Sequence, residues 1–169
     1  MHIVAATEEG TQAVDALRRG VPPPVGPSSP ASVELTILEG RLDEFIESNF
    51  DRIDFGSRLK LYPYPDPPTE ESTARQVTTD VGVIDILARD VEKNEVVIIE
   101  LKRGRTTEHV VGQILKYMGW VKEHLAGDRK VRGIIIAASG DMKLKYALKV
   151  VPSISLYAYT LSFGLKKEA

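Results

Sequence analysis

The chain has 169 residues, 43% of them hydrophobic and 27% charged, with a net charge of −2 and no cysteine. That is enough for one domain with its own core, and it excludes disulfides, a thiol nucleophile and Cys-ligated zinc or iron–sulfur sites. No apolar run approaches the ~18 residues of a membrane span. Met1 opens no signal-peptide pattern, so a cytoplasmic, membrane-free protein is expected.

In chain order, residues 7–19 read as a short helix with Thr7 as N-cap and Gly20 as stop. VPPPVGPSSP (21–30) reads as a linker, so residues 1–31 are expected to form an arm and residues 32–169 the domain. Residues 34–50 have helix spacing at Leu35, Leu38, Leu42, Phe45 and Ile46, with acids on the other faces. RLKLY (58–62) alternates like a strand and is followed by a proline-rich loop. VGVIDILA (81–88) and EVVIIELK (95–102) read as core strands. Residues 107–125 form a helix with an apolar stripe of Val110, Ile114, Met118 and Val121, ended by Gly127. VRGIIIAA (131–138) is a buried strand, residues 141–150 a basic helix stopped at Pro152, and residues 154–160 a last strand. The expected order is α-β-β-β-α-β-α-β, an α/β fold with a central mixed sheet flanked by helices.

Three charges interrupt the two core strands: Asp85, Glu100 and Lys102. A charge inside an apolar strand costs several kcal/mol unless it is paired or binds a metal, roughly speaking. A hairpin with residues 91–94 as its loop sets Asp85 opposite Glu100, on one sheet face with Cβ atoms roughly 4.5–5.5 Å apart. Lys102, two residues on, shares that face. Two carboxylates that close repel each other, and a divalent cation removes the repulsion. His2, His109 and His124 match no zinc spacing, so a metal site here is built from oxygen donors, which favours Mg²⁺, Mn²⁺ or Ca²⁺. Gln113 and Tyr117, four residues apart, share one face of the next helix and can lie over the same sheet.

Each feature has a plainer reading. Asp85 and Glu100 can be salt-bridged to Lys102 or Arg103, and Gln113 and Tyr117 can be an ordinary helix pair. Lys102, Arg103 and Arg105 suit DNA phosphates or a solvated loop. Lys143, Lys145 and Lys149 suit a wet helix face. Trp120 is more often core than a base-stacking platform.

Taken together, VGVIDILARD (81–90), VVIIELKRG (96–104), VVGQILKYMGWV (110–121) and the leading helix 38–54 resemble the PD-(D/E)xK nuclease superfamily. Within its RecB-like branch they are most similar to the C-terminal catalytic domain of NucS/EndoMS-type endonucleases, over roughly residues 35–160. The resemblance implies a restriction-endonuclease-like core and a Mg²⁺- or Mn²⁺-dependent DNA endonuclease, acting in repair or on branched, mismatched or single-stranded DNA. It implies metal ligation by Asp85, Glu100, the Leu101 carbonyl and a first-helix acid, Glu39 with Glu44 as fallback. It makes Lys102 catalytic and Gln113 and Tyr117 part of the site. It also implies DNA as partner, with a homodimer or an added DNA-binding domain. Two departures stand out: Val83 occupies a position that is commonly basic in the family, and only about 30 residues precede the core. A catalytically silent nucleic-acid-binding or assembly module on the same fold is the alternative, and an RNA nuclease is a third reading.

Overall fold

The structure is a computed structural model and describes residues 41–160. The elements are α1 (Leu42–Ser48), a 3-10 turn (Phe50–Arg52), β1 (Leu59–Leu61), β2 (Arg75–Thr79), β3 (Gly82–Asp90), β4 (Glu95–Thr106), α2 (His109–Val121) continued by a π turn (Lys122–Ala126), β5 (Val131–Gly140), α3 (Met142–Val150) and β6 (Ile154–Ala158). The expected arm, linker and domain start at residue 32 lie outside the described residues, as does Glu39.

The runs of Ile and Val that read as strands fill a six-stranded sheet of order β1-β3-β4-β5-β6, with β2 pairing β3 beside β1. Pairings of β3 with β1, β2 and β4 are antiparallel. The β4–β5 and β5–β6 pairings are parallel, as they must be when helices α2 and α3 make the crossovers. The sheet is thus mixed and covered on both faces, in accord with the α/β expectation.

One face carries α2 and α3: Ile84, Leu87, Ile98 and Ile135 pack there with Val110, Ile114, Met118, Val121 and Leu144. The other face carries α1, where Leu42, Ile46 and Phe50 cover Ile86, Val97, Ile99 and Ile134. The anticipated α2 stripe is buried throughout, and Ile114 is fully buried, which contributes about 1.5–3 kcal/mol. It sits that deep because Gly133 lies beneath it, where a Cβ would stand 2.6 Å from the Ile114 Cδ1. Asp141 caps α3 by accepting the Leu144 backbone N–H at 2.8 Å, removing one orphan donor of its first turn.

Three expectations change. A sixth strand, β2, follows the proline-rich loop; its burial pattern has only Val77 inside, so it lacks the apolar run that marks a core strand. Phe45 is 56% exposed, because α1 turns Leu42 and Ile46 inward instead. Finally, β4 does not leave the sheet at Lys102 but continues to Thr106, with its pairing to β5 shifting register between Lys102 and Arg105. Gly104, at φ 77°, supplies the left-handed residue that this irregularity requires.

Candidate active site

The hairpin forms in the anticipated register, from Asp90–Glu95 at the turn to Ile86–Ile99, where the β3–β4 pairing stops. Beyond that point β3 kinks. Ile86 and Ala88 face α1, whereas Ile84 and Leu87 both face α2. The two-residue alternation of a strand therefore breaks around Asp85. The next β4 residue able to pair with β3 is Leu101, and its N–H is taken by Asp85 Oδ2 at 2.8 Å instead of by backbone. The N–H and C=O of a strand residue point toward the same neighbour, so the Leu101 carbonyl also faces the opening where β3 departs.

Gln76 of β2 forms the other side of this kink. It lies opposite Asp85 in the β2–β3 register, between the pairs Arg75–Ile86 and Val77–Ile84. Its φ is 51°, a left-handed conformation costly for a residue with a Cβ. Its Nε2 donates to Asp85 Oδ1 at 3.0 Å. Both Asp85 oxygens are thus oriented by hydrogen bonds.

On β4, Glu100 is 2% exposed and its Oε1 accepts from Lys102 Nζ at 2.8 Å. Lys102 Nζ also donates to Gln113 Oε1 of α2 at 2.9 Å. The other Glu100 oxygen, Oε2, is buried without a hydrogen-bond partner. Burial pushes the Glu100 carboxyl above the usual glutamate range; the Lys102 hydrogen bond opposes that rise and the Asp85 charge adds to it. A buried, half-satisfied carboxylate facing a second carboxylate is an energetic liability in the free protein.

Asp85, Glu100, Leu101, Lys102 and Gln113 thus come together where α2 covers the diverging strands. Tyr117 stands one turn further along α2, buried, with its hydroxyl against Gly82 at the start of β3. It forms the wall of the site and makes no bond to the carboxylates among the described residues. Glu44, the fallback acid, is exposed and paired with Arg41 at 2.9 Å. Asp43 and Glu47 of α1 instead hold Arg75 of β2, at 3.4 and 2.9 Å, tying α1 to the strand that carries Gln76. Among the described residues no group of three His, Asp or Glu side chains converges.

Trp120 is half-buried, edge-on to Tyr64 at 5.8 Å and stacked on His124 at 4.8 Å, as a core-side residue. Lys143, Lys145 and Lys149 are exposed on α3. Sequence reasoning missed Gln76 and Lys116. Gln76 lies in a strand without an apolar signature. Lys116 lies between Gln113 and Tyr117 but becomes relevant only once α2 is placed over Gly82.

The divergence at Asp85, with a Glu-x-Lys on the adjacent strand, fits a restriction-endonuclease-like fold and the resemblance to the PD-(D/E)xK nuclease superfamily. More narrowly, residues 71–149 match the family described as Endonuclease NucS C-terminal domain, and the resemblance to the NucS/EndoMS catalytic domain holds. The Endonuclease NucS of Thermococcus kodakarensis is 42% identical over 65 residues, 38% of this chain and 25% of that protein. The NucS of Pyrococcus furiosus is 43% identical over 58 residues, 34% and 21% of the two chains. Among solved structures, an EndoMS–dsDNA complex aligns with a TM-score of 0.54 at 27% identity, covering 73% of this chain and 45% of that one. A repair endonuclease from Pyrococcus abyssi shares the fold, with a TM-score of 0.54 at 23% identity over 72% of this chain and 46% of that one. The matches span about a quarter of the curated relatives and under half of the solved chains. All five residues gathered at the site, and Tyr117, fall inside the family match; Glu39 falls outside it.

Proposed function

We propose that this domain is a metal-dependent DNA endonuclease that hydrolyses phosphodiester bonds in repair or in the processing of branched, mismatched or single-stranded DNA. One observation carries the reading: Glu100 Oε2 is buried and unpartnered within electrostatic reach of the Asp85 carboxylate. The family match and the DNA-bound EndoMS relative support it.

The donor set fits a hard divalent cation. Asp85, the unpaired Glu100 oxygen and the Leu101 carbonyl are all oxygen donors, and the choice among Mg²⁺, Mn²⁺ and Ca²⁺ favours the first two where water and phosphate complete the shell. A cation so bound would polarise the phosphate and lower the pKa of an attacking water. Glu39 remains a proposed further ligand.

The chain's own residues do the rest. Gln76 and the Leu101 N–H fix the Asp85 carboxylate. Lys102 spends two of its three protons on Glu100 and Gln113. Its third donor position can orient the water or meet charge developing on the phosphate. Gln113 accepts from Lys102 through Oε1, which leaves its NH₂ group to donate to a phosphate oxygen. Tyr117 closes the side of the site at Gly82.

A homodimer or an added DNA-binding domain would extend the grip on DNA beyond this domain, consistent with the greater length of its relatives. No helix of the described residues is long and apolar enough to cross a membrane. The test is incubation with Mg²⁺ or Mn²⁺ and labelled single-stranded, duplex, branched and mismatched DNAs, plus RNA. Metal-dependent cleavage of DNA is expected; a protein that binds these nucleic acids and cuts none of them is the silent module instead.

A further inference from the structure

Lys102 is committed to Glu100 and Gln113, so its charge is largely spent on the site itself. Asp85 and Glu100 add two negative charges to a place that must receive a phosphate. A further cation that meets the incoming strand beside the reacting phosphate would complement these, and one is in position on α2.

Lys116 lies three residues beyond Gln113 and next to Tyr117, on the helix flank that overhangs the start of β3. Its ammonium stands 4.5 Å from the centroid of the Tyr117 ring. Below it is Gly82, at φ 128°; a Cβ there would stand 3.4 Å from Lys116 Nζ and 3.0 Å from the Tyr117 hydroxyl. The positive φ favours glycine at this position, and a Cβ there would crowd the Tyr117 hydroxyl and touch the Lys116 ammonium. The hairpin supplies no cation at this point, since the neighbouring Val83 is apolar and 40% exposed. Among the described residues no carboxylate forms an ion pair with Lys116, and Glu100 feels its charge only at longer range. Its side chain is exposed, yet it is held over a ring rather than left to sample solvent.

We propose that Lys116 is a substrate-positioning residue: its ammonium binds a DNA phosphate beside the scissile one, and Gly82 and Tyr117 form its seat. The inference rests on the endonuclease reading above and deepens it. A pre-positioned cation at the edge of the site sets the register of the strand without taking part in bond cleavage.

The test compares the full chain with Lys116→Gln, Lys116→Arg and Lys149→Gln. Lys149 is a matched control, because its ammonium also lies over a tyrosine, Tyr146, at 5.3 Å, but on α3. Kd for a labelled duplex is measured in EDTA across a KCl series, and KM and kcat are measured with Mn²⁺. Lys116→Gln is expected to weaken low-salt binding about tenfold and to flatten the slope of log K against log salt by about 0.9, one phosphate contact. KM should rise with kcat little changed. Lys116→Arg should restore the slope, and Lys149→Gln should match the unmodified protein. An unchanged slope in Lys116→Gln, or an equal loss in Lys149→Gln, overturns the proposal. If the unmodified protein binds no DNA, this inference and the endonuclease reading fall together. If it binds but never cuts, the catalytic reading falls alone and the salt slopes still decide the role of Lys116.

Discussion

Asp85 Oδ2 accepts the backbone N–H of Leu101 at 2.8 Å, in place of the strand backbone that would otherwise pair there. One carboxylate thus ends the β3–β4 ladder and stands beside the Glu-x-Lys. Asp85→Ala strands that N–H and should lower stability by about 1–3 kcal/mol. Asp85→Asn keeps an acceptor and should lose less. Both should abolish cleavage, so melting curves and nuclease assays on the pair separate structural from chemical loss.

Lys102→Ala removes the group that bridges Glu100 and Gln113. Cleavage should fall by about 10²–10⁴-fold with DNA binding largely retained. Cleavage assayed beside gel-shift binding checks this, and a variant cutting at the unmodified rate would remove Lys102 from the mechanism.

Glu100 gives a prediction about pH. Burial raises its carboxyl above the usual glutamate range, so the folded state holds this proton more tightly than the unfolded one. In metal-free protein its favourable contribution is present below the unfolded value and is lost as pH rises through the folded one. Glu100→Gln is therefore expected to melt at or above the temperature of the unmodified protein in EDTA at neutral pH. It should also lose the upward Mn²⁺ shift that a bound ligand produces. Thermal melting with and without Mn²⁺ reads both.

Much of this site is legible in the chain. Asp85, Glu100 and Lys102 announce themselves as charges in apolar strands, and the loop at 91–94 sets the register as far as Ile86–Ile99, short of the expected Asp85–Glu100 pair. The turn has a visible cause in Asp90, whose Oδ1 accepts the N–H groups of Glu92 and Lys93 at 3.1 and 3.0 Å. The stripe of α2 follows from its spacing, and Gly133 lets it lie close. What is not legible depends on tertiary context. β2 shows one inward residue, Val77, too little for a hydrophobic pattern. Phe45 fits the helix spacing as well as Leu42 and Ile46, and only the angle of α1 on the sheet decides which face is covered. Gln76 belongs to a kink created by two strands at once, which no periodicity records.

Gln76 combines a left-handed backbone with a hydrogen bond to Asp85. Gln76→Gly relieves a conformation worth about 1–2 kcal/mol while deleting the bond. Stability should hold or rise as the Mn²⁺-induced shift and the cleavage rate fall. If both remain at the unmodified level, the strain at Gln76 has no part in orienting Asp85.

Asp90 makes the contrasting, purely structural case. Burial pushes its carboxyl up, but bonds from the Lys93 N–H, Ser57, Arg132 and the Glu92 N–H prevail and hold it at about 2. Such a depressed carboxyl stabilises the fold above its unfolded value near 3.8 and loses that contribution as pH falls toward 2. Asp90→Asn should cost roughly 2 kcal/mol at neutral pH and flatten the acid limb of the melting profile, leaving cleavage per folded molecule unchanged.

The most direct test of the central claim is cleavage of labelled DNA by the unmodified chain and by Asp85→Asn, each with Mn²⁺ and with EDTA. The prediction is product only from the unmodified chain and only with the metal. Equal cleavage in EDTA, or by Asp85→Asn, would contradict a metal-dependent site at Asp85 and Glu100.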